Sequence, residues 1–494
     1  MRQELARLSK NTLIYGVGGL VNRFIAFLFL PVFTAYLSPA DYGISAILGL
    51  VTFIATSVFS LGLGAGIGPC YFEGNQQEQK DTTIWTAFAL LMLSAACVVA
   101  GGLLFARQLS ILAFGTPDHA FLMQLTVAMA ALNILAIPLT LRLQFEEQAS
   151  TFVRLTIGSS LASIALCLLL VVILGRGVRG LVEAGLIGQA VGLLLLLFLT
   201  VPSLAFRLSR SVAAELLRLS LPLVPGFAFV FILQHGNKYI LQWMRGLDEV
   251  GIYSIGFNIG FVMNLFVSAF QTAWYPYFMS FLNRQEEARR LFGRIFTYYV
   301  LGSGALTLVF FVLARPVVAL MTPPAFHEAY KVVGLSASAQ LLIGVFGLLL
   351  PGIYFAREVK YLSVIQGMAA AISVGLSIVM IRAAGMLGAA MALALGMLIL
   401  AGLQHLWSRY RRYLDVQFEW PRLRRFAVIF VLYTLATLWD PGWPPLGLVL
   451  FLGILTCLLP VWLYVLLSPA ERDAVRAVCL VWASSLPHRR SSRA

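Results

Sequence analysis

The sequence predicts an all-α membrane protein of about fourteen transmembrane helices, and its composition gives two of the reasons. Of its 494 residues, 60% are hydrophobic and 11% are charged, whereas soluble domains carry about 25% charged residues. The mean hydropathy is +0.88. Apolar segments of roughly 17 to 30 residues also recur along the chain, and about 20 such residues cross a bilayer. These features exclude a soluble enzyme, a disordered scaffold and a small secreted protein built on disulfides.

Short polar stretches divide the apolar residues into separate segments. The predicted spans are 11–37, 43–69, 82–106, 119–141, 151–175, 181–201, 221–244, 251–281, 295–320, 329–355, 361–382, 385–407, 424–440 and 446–467. Backbone groups in lipid must satisfy their own hydrogen bonds, and no alternation typical of barrel strands occurs, so these segments should be helices. The first is too long for a signal-peptide core and contains Arg23, so we interpret it as a retained span. The five cysteines are isolated and indicate no metal site or disulfide framework.

Basic residues indicate the orientation of the chain in the membrane. The sequence has 35 Lys and Arg against 21 Asp and Glu, a net charge of +14. With the amino terminus placed in the cytoplasm, 26 of the 35 basic residues lie near cytoplasmic span ends and 7 near the opposite ends. Cytoplasmic loops of membrane proteins collect Lys and Arg, so we predict that both termini are cytoplasmic. The same rule explains the basic composition without a nucleic-acid partner.

The chain matches itself weakly at an offset of about 208 residues. Residues 37–44 (LSPADYGI) align with residues 245–252 (RGLDEVGI), and each is an acidic turn that ends in Gly-Ile and opens a span. The sequence PCYF at 69–72 and the sequence PYF at 276–278 follow at nearly the same distance. Six spans per copy is an even number, so both copies should have the same orientation, a parallel repeat known from transporters.

This repeat divides the chain into predicted units. They are an amino-terminal lobe of six helices (1–204), a cytoplasmic linker (205–219), a carboxy-terminal lobe of six helices (220–408), two further helices (424–467) and a basic cytoplasmic tail (468–494). Two segments, 203–219 and 409–425, mix Arg with Leu, Phe or Trp. Each is either a helix that lies on the membrane surface or an ordinary basic linker.

Two cations lie inside predicted spans, where no acid accompanies them. Arg23 lies near the middle of the first span, and Lys238 lies nearer the outer end of the seventh. A central Arg costs about 2.5 to 3.5 kcal/mol on insertion scales, so Arg23 should face protein or a water-filled cavity. Lys238 could instead extend to the interface. Gln234, Lys238 and Gln242 share one face of the seventh span, and Tyr253, Asn264 and Gln271 form one polar stripe on the eighth. The candidate cavity residues are Asn22, Arg23, Gln234, His235, Asn237, Lys238, Gln242, Tyr253, Asn264 and Gln271.

A cavity lined by cations without a carboxylate selects anions. Arg grips phosphate with two hydrogen bonds and Lys supplies a point charge, so the substrate should carry phosphate or acidic sugars. Two alternatives stay open: the polar faces could be hydrogen bonds between helices, and His235 could be a plain hydrogen-bonding residue or a group that couples to protons. The sequence offers no catalytic dyad, phosphate-binding loop or metal-ligand cluster, so we expect neither an enzyme nor a cofactor.

Several stretches resemble bacterial polysaccharide transporters. Residues 11–43 (NTLIYGVGGLVNRFIAFLFLPVFTAYLSPADYG) resemble the opening of these proteins. Residues 237–241 (NKYIL) with residues 250–254 (VGIYS) are similar to the family's seventh-helix stretch, usually DRFIL…VGIYS, and residues 273–276 (AWYP) resemble the end of its eighth helix. The ordered set resembles the Wzx-type O-antigen and exopolysaccharide flippases of the MOP (multidrug/oligosaccharidyl-lipid/polysaccharide) superfamily.

The resemblance implies a flippase of the bacterial inner membrane that moves undecaprenyl-diphosphate-linked oligosaccharides to the periplasmic leaflet by alternating access between two lobes. Arg23 resembles the cationic position in the first helix that such flippases use toward the pyrophosphate. Lys238 stands where the family usually has Arg, and Asn237 where it usually has Asp, so the cation is kept and an acid that could couple an ion is lost. The implied partners are the lipid-linked glycan, the lipid bilayer, and the polymerase and chain-length machinery of the same pathway.

Other function classes fit less well. An ion-coupled drug or metabolite antiporter of the same MATE-like fold is the main alternative, but exporters of cationic drugs commonly rely on buried carboxylates. A membrane polymerase or ligase would need a large external loop with catalytic groups, and the predicted loops are short. A structural scaffold of the envelope would tolerate the loss of both intramembrane cations.

Overall fold

The computed structural model of the chain describes residues 28–73 and 76–438, together with Val21 and Ile25. This part is helical and contains no β-strand, which confirms the predicted all-α class. Its helices are α1 (Leu30–Tyr36), α2 (Pro39–Phe59), α3 (Leu63–Glu73), α4 (Gln77–Leu104), α5 (Ala106–Phe114), α6 (Ala120–Phe145), α7 (Ala149–Cys167), α8 (Gly177–Thr200), α9 (Arg210–Ser220), α10 (Val224–Arg245), α11 (Leu247–Gly260), α12 (Met263–Met279), α13 (Gln285–Met321), α14 (Tyr330–Leu348), α15 (Pro351–Phe355), α16 (Tyr361–Tyr410) and α17 (Trp420–Leu438).

The described residues include eight helical segments long and apolar enough to cross a membrane. The number rises to ten if each of two bent pairs is one span: α9 with α10, bent by 42°, and α11 with α12, bent by 45°. The second to thirteenth predicted spans each coincide with at least one helix. Most of the first span, the fourteenth span and the tail at 468–494 lie outside the described residues, so the count of fourteen is not confirmed.

Helix α16 is two antiparallel segments rather than one rod. A straight helix of its 50 residues would be about 75 Å long, more than twice the apolar core of a bilayer. The backbone leaves the helical region at Gly385, which has φ +54° and ψ −131°. Beyond this break, a Cβ at Gly388 would collide with Met380 O, and a Cβ at Gly396 would collide with Ser373 Oγ. The two halves therefore pack against each other, as the eleventh and twelfth predicted spans require.

The two acidic turns of the repeat both cap helices. In the first turn, Asp41 N donates to Ser38 Oγ (3.2 Å) and Ser38 N donates to Asp41 Oδ2 (3.0 Å), which is a capping box at the start of α2. In the second turn, Glu249 Oε2 accepts from Met386 N (3.0 Å), just after the break in α16. A carboxylate at a helix N-terminus contributes about 0.3 to 1 kcal/mol. The second acid therefore fixes α11 to the later half of α16.

The strongest sign of the internal repeat is a reciprocal contact between α2 and α11. A Cβ at Gly43 would collide with Leu247 O, and a Cβ at Gly251 would collide with Pro39 O. The 208-residue offset converts Gly43 into Gly251 and Pro39 into Leu247, so each contact is the copy of the other. Such exchange is what a two-fold axis between equivalent surfaces produces. The predicted parallel repeat therefore has a structural counterpart at the start of both helices.

The two halves of the chain meet at one end and pack separately at the other. Helix α2 packs against α10 and α11 of the second half, whereas α3, which continues it, packs mainly against α4, α6 and α9. Likewise α11 packs against α2, while α12 packs mainly against α13, α14 and α15. The structure is therefore closed where α2 and α11 begin. In the predicted orientation this is the periplasmic end.

The two basic segments differ in structure. Residues 203–219 contain most of α9, in which Leu216 is fully buried while Arg210 and Arg218 are exposed, as expected of a helix at a membrane surface. Residues 413–419 have no helical structure, so the segment 409–425 fits the linker alternative. Helix α5 was not predicted. It occupies what the sequence presents as a loop between the third and fourth spans.

Candidate functional site

Asn237 on α10 joins three helices. Its Nδ2 donates to the Tyr253 hydroxyl on α11 (2.6 Å) and to Ala389 O on α16 (3.0 Å). Asn237 and Tyr253 are buried. Helices α10 and α11 are consecutive and α16 is distant in the sequence, so one amide side chain fixes the seventh and eighth predicted spans to the twelfth.

Lys238, the next residue, is also buried. Only 6% of the residue is exposed. Its Nζ lies 4.2 Å from the centre of the Phe257 ring and 6.0 Å from that of Tyr253. Among the described residues, no carboxylate forms an ion pair with it. A cation over an aromatic face gains about 2 kcal/mol when desolvated, whereas removing a charge from water costs several kcal/mol. The rings therefore offset only part of the cost of burying this ammonium.

Aromatic rings from both halves cover the neighbouring His235. Its ring lies 5.8 Å from Phe53 on α2, 5.4 Å from Phe231 on α10 and 5.7 Å from Phe257 on α11. Phe53 also stacks on Phe231 at 5.3 Å. His235 Nδ1 is buried and has no hydrogen-bond partner. The face of α10 that carries His235 and Lys238 is its cationic face. Helix α2, which belongs to the first half of the chain, therefore covers this face as a lid.

Gln242 and Gln234 extend this face of α10 in opposite directions. Gln242 Nε2 donates to Ala113 O at the end of α5, a bond between the two halves near the closed end. Gln234 lies two turns earlier and is half-buried. This face of α10 lies at the junction of the halves.

Asn264 and Gln271 serve a different contact. Asn264 Nδ2 donates to Gln340 Oε1 (3.1 Å) and Gln271 Nε2 donates to Ile343 O (3.2 Å), both on α14. Trp274 Nε1 continues the series with a bond to Gly347 O (3.2 Å). These bonds fix α12 to α14, as the helix-contact alternative expects. The structure brings together Asn237, Lys238, His235 and Tyr253, and it does not join Asn264 or Gln271 to them by a contact.

Two of the ten candidates, Asn22 and Arg23, lie outside the described residues. In the described part, no group of three His, Cys, Asp or Glu side chains is placed to hold a metal ion. The sequence reasoning missed the phenylalanines of the site, Phe53, Phe231 and Phe257. Phe257 carried a usable signal, because it lies one turn after Tyr253 on the same face of α11. Phe53 did not, because it comes from the other half of the chain.

We expect Asn237→Leu to destabilise the protein. The substitution keeps the side-chain size but leaves the Tyr253 hydroxyl and Ala389 O without their donor. Hydrogen bonds between membrane helices contribute about 0.6 to 1.7 kcal/mol each, so we expect a loss of about 1 to 2 kcal/mol, measured as a lower melting temperature in detergent. Gln234→Leu, on the same helix, is the control and should change it little. Equal melting temperatures for both variants would show that Asn237 does not hold these helices.

The chain matches the family model described as "Polysaccharide biosynthesis protein" over residues 8–282, which is more than half of its length. No curated protein matches it. The first acidic turn, residues 37–44, and the cationic face of α10 both lie inside the matched region.

Three solved structures that share this fold are described as a flippase or as transporters. "Lipid II flippase MurJ, inward closed conformation" aligns with a TM-score of 0.71 at 15% identity, over 94% of this chain and all of that one. An inward-facing "multidrug resistance MATE family transporter of the MOP superfamily" aligns with a TM-score of 0.63 at 15% identity, over 82% and 97% of the two chains. An outward-facing structure described in the same terms has a TM-score of 0.56 at 14% identity, over 82% and 95%. At these identities the likeness establishes the fold.

Proposed function

The chain belongs to the polysaccharide biosynthesis protein family, and from this premise we propose that it is a flippase of the Wzx type. Its substrate is an undecaprenyl-diphosphate-linked oligosaccharide, a precursor of O-antigen or exopolysaccharide. It carries the diphosphate and the sugars across the bacterial inner membrane while the prenyl chain stays in lipid. The family match covers the first lobe and the start of the second.

The observation that carries this proposal is the buried charge of Lys238. A desolvated ammonium with no carboxylate beside it, in the described residues, favours an anionic ligand over a cationic one. A diphosphate supplies that charge. Arg23, twelve residues or more into the first predicted span, is proposed as the second cation of the same site. Gln234, His235, Asn237, Gln242 and Tyr253 are proposed to bind the sugar hydroxyls and to shape the cavity.

The transport step is proposed to be alternating access. The contact of α2 with α11 and the bond from Gln242 to Ala113 close one end, while α3 and α12 separate toward the other. When the closed end opens, the α2 lid with Phe53 moves off the cationic face of α10. The diphosphate then travels with the site from one side to the other. No covalent bond forms or breaks, so the proposal requires no enzyme activity.

The predicted orientation of the chain in the membrane decides from which side the substrate enters. The lobes at 1–204 and 220–408 surround the site, with both termini in the cytoplasm. The closed end then faces the periplasm, and the substrate enters from the cytoplasmic leaflet. The polymerase and chain-length machinery of the same pathway would receive the delivered glycan.

The alternative is an ion-coupled antiporter for drugs or metabolites, and the surroundings of Lys238 disfavour it. The described residues place aromatic rings and an amide, but no carboxylate, beside this charge. A cationic drug would be repelled there. Efflux of a cationic dye from cells that express the protein should therefore equal efflux from cells that do not.

A deletion strain tests the proposal in the cell. We expect the lipid-linked oligosaccharide to accumulate in the cytoplasmic leaflet, where a membrane-impermeant glycosidase added to spheroplasts does not reach it. Complementation with the intact gene should restore cleavage. Unchanged delivery of the glycan to the periplasmic leaflet would refute the proposed function.

A further inference from the structure

A basic cavity lies far along the chain from Lys238, where α13 begins and α16 ends. Its volume is about 310 Å³, which is within the range of small-ligand sites, about 300 to 1,000 Å³. Its lining includes the polar residues Arg289, His405, Ser408, Arg409, Arg412 and Asp415. Three guanidinium groups thus line the cavity with one carboxylate, and a second carboxylate, that of Glu286 outside the lining, pairs with Arg289 Nη1 (3.4 Å). The balance of charge favours an anion.

The segment that carries Arg411 and Tyr413 forms one wall of this cavity, and contacts outside the cavity hold it in place. Arg411 pairs with Glu358 (2.7 Å), and the Tyr413 hydroxyl donates to the same carboxylate. These hydrogen bonds hold the pKa of the Glu358 carboxyl below its usual range. Gln417 N donates to Arg289 O (3.0 Å), which places the segment across the start of α13. Arg411 is therefore occupied, while its neighbours Arg409 and Arg412 line the cavity.

The lining contains hydrogen-bonding groups without partners. Arg289 Nε and Ser408 Oγ are buried, and neither makes a hydrogen bond. No carboxylate of the described residues pairs with Arg409 or Arg412. Arg412 also has φ +51°, a backbone conformation that residues other than Gly and Asn rarely adopt. A buried donor without a partner is destabilising, so a ligand that accepts hydrogen bonds would relieve this cost.

We propose that this cavity binds a phosphate-bearing anion through Arg289, Arg409 and Arg412, with Ser408 as a further donor. Guanidinium groups bind phosphate oxygens in pairs of parallel hydrogen bonds. The phosphate can belong to the headgroup of an anionic lipid or to a soluble phosphate compound. The site is separate from the Lys238 site, so this proposal does not depend on the transported substrate.

The test uses the full-length purified protein and two probes. The first is phosphatidylglycerol, with bound lipids counted by native mass spectrometry. The second is sodium pyrophosphate in lipid-free detergent, with binding followed by isothermal titration calorimetry. The variant combines Arg409→Gln with Arg412→Asn, because Asn tolerates a positive φ. The matched control combines Arg290→Gln with Arg294→Gln, which removes the same charge from exposed positions on α13.

The variant should bind at least one of the two probes at least about tenfold more weakly than the wild type, since it loses two contacts between charged groups. The control should bind like the wild type. If the variant loses only phosphatidylglycerol binding, the natural ligand is a lipid headgroup. If it loses pyrophosphate binding, the natural ligand is a soluble phosphate compound. Asp415→Asn should strengthen the same binding several-fold, an effect that misfolding cannot produce. Equal affinities of variant and control for both probes would overturn the proposal.

Discussion

Replacing Lys238 with methionine is expected to abolish transport without destabilising the protein. Methionine has a similar length and carries no charge, so it fills the same space beside Phe257 without the cost of burying an ammonium. The melting temperature should stay the same or rise. The loss of a charged contact with diphosphate, about 1.5 to 3 kcal/mol, should reduce the transport rate at least about tenfold. Transport is measured as surface polysaccharide in a deletion strain that carries the variant at normal membrane levels.

Two further variants make this result specific. Lys238→Arg keeps the charge and should keep most of the transport. Lys331→Met removes a lysine that pairs with Glu328 away from the site, and it should leave transport unchanged. If Lys238→Met supports normal surface polysaccharide, the buried cation has no part in transport. If it only lowers the melting temperature, Lys238 is a structural residue.

The second large effect is expected at the contact between α2 and α11. The double variant Gly43→Ala, Gly251→Ala places a methyl group against the backbone carbonyls of Leu247 and Pro39. Because backbone on both sides blocks relaxation, the closed end cannot form, and alternating access should fail. We expect transport to fall to the level of the deletion strain. Gly49→Ala on α2 is the control, since nothing lies within 4 Å of its added methyl group.

A labelling experiment separates loss of closure from loss of folding. Ser254 is buried beside this contact, with 3% of it exposed, and Ser254→Cys changes one atom. In a background without the native cysteines, a membrane-impermeant maleimide should label Cys at this position in the glycine double variant and not in the parent. Absence of labelling in a folded double variant would show that the contact does not close the molecule.

The sequence predicted much of the fold because the bilayer imposes a simple pattern. Apolar length placed twelve of the spans, and the turn at Gly385 divides two of them where Arg382 and Gly385 interrupt the apolar run. The two acidic turns were recognised by composition, and in the structure each caps a helix. The bend between α11 and α12 was not predicted, because 251–281 reads as one apolar segment.

That bend also explains which of the predicted residues the structure brings together. Helical spacing along α10 grouped Lys238 with Gln234 and Gln242, and the structure joins Asn237 of the same helix to Tyr253 on α11. Asn264 and Gln271 were added by extending the spacing from Tyr253 across Phe261, where the chain turns by 45°. Beyond that point the face points to α14 instead. The lid residue Phe53 required knowledge of how the halves pack, which spacing along one helix does not contain.

Translocation by the purified protein tests the central claim most directly. Proteoliposomes that contain the protein and an undecaprenyl-diphosphate-linked oligosaccharide are treated with a glycosidase from outside. We predict that cleavage extends beyond the outer-leaflet share for the wild type and for Lys238→Arg, and stops at that share for Lys238→Met and for empty liposomes. Cleavage that stops at the outer-leaflet share with the wild type, or that proceeds equally with Lys238→Met, would contradict a flippase that binds diphosphate through its buried lysine.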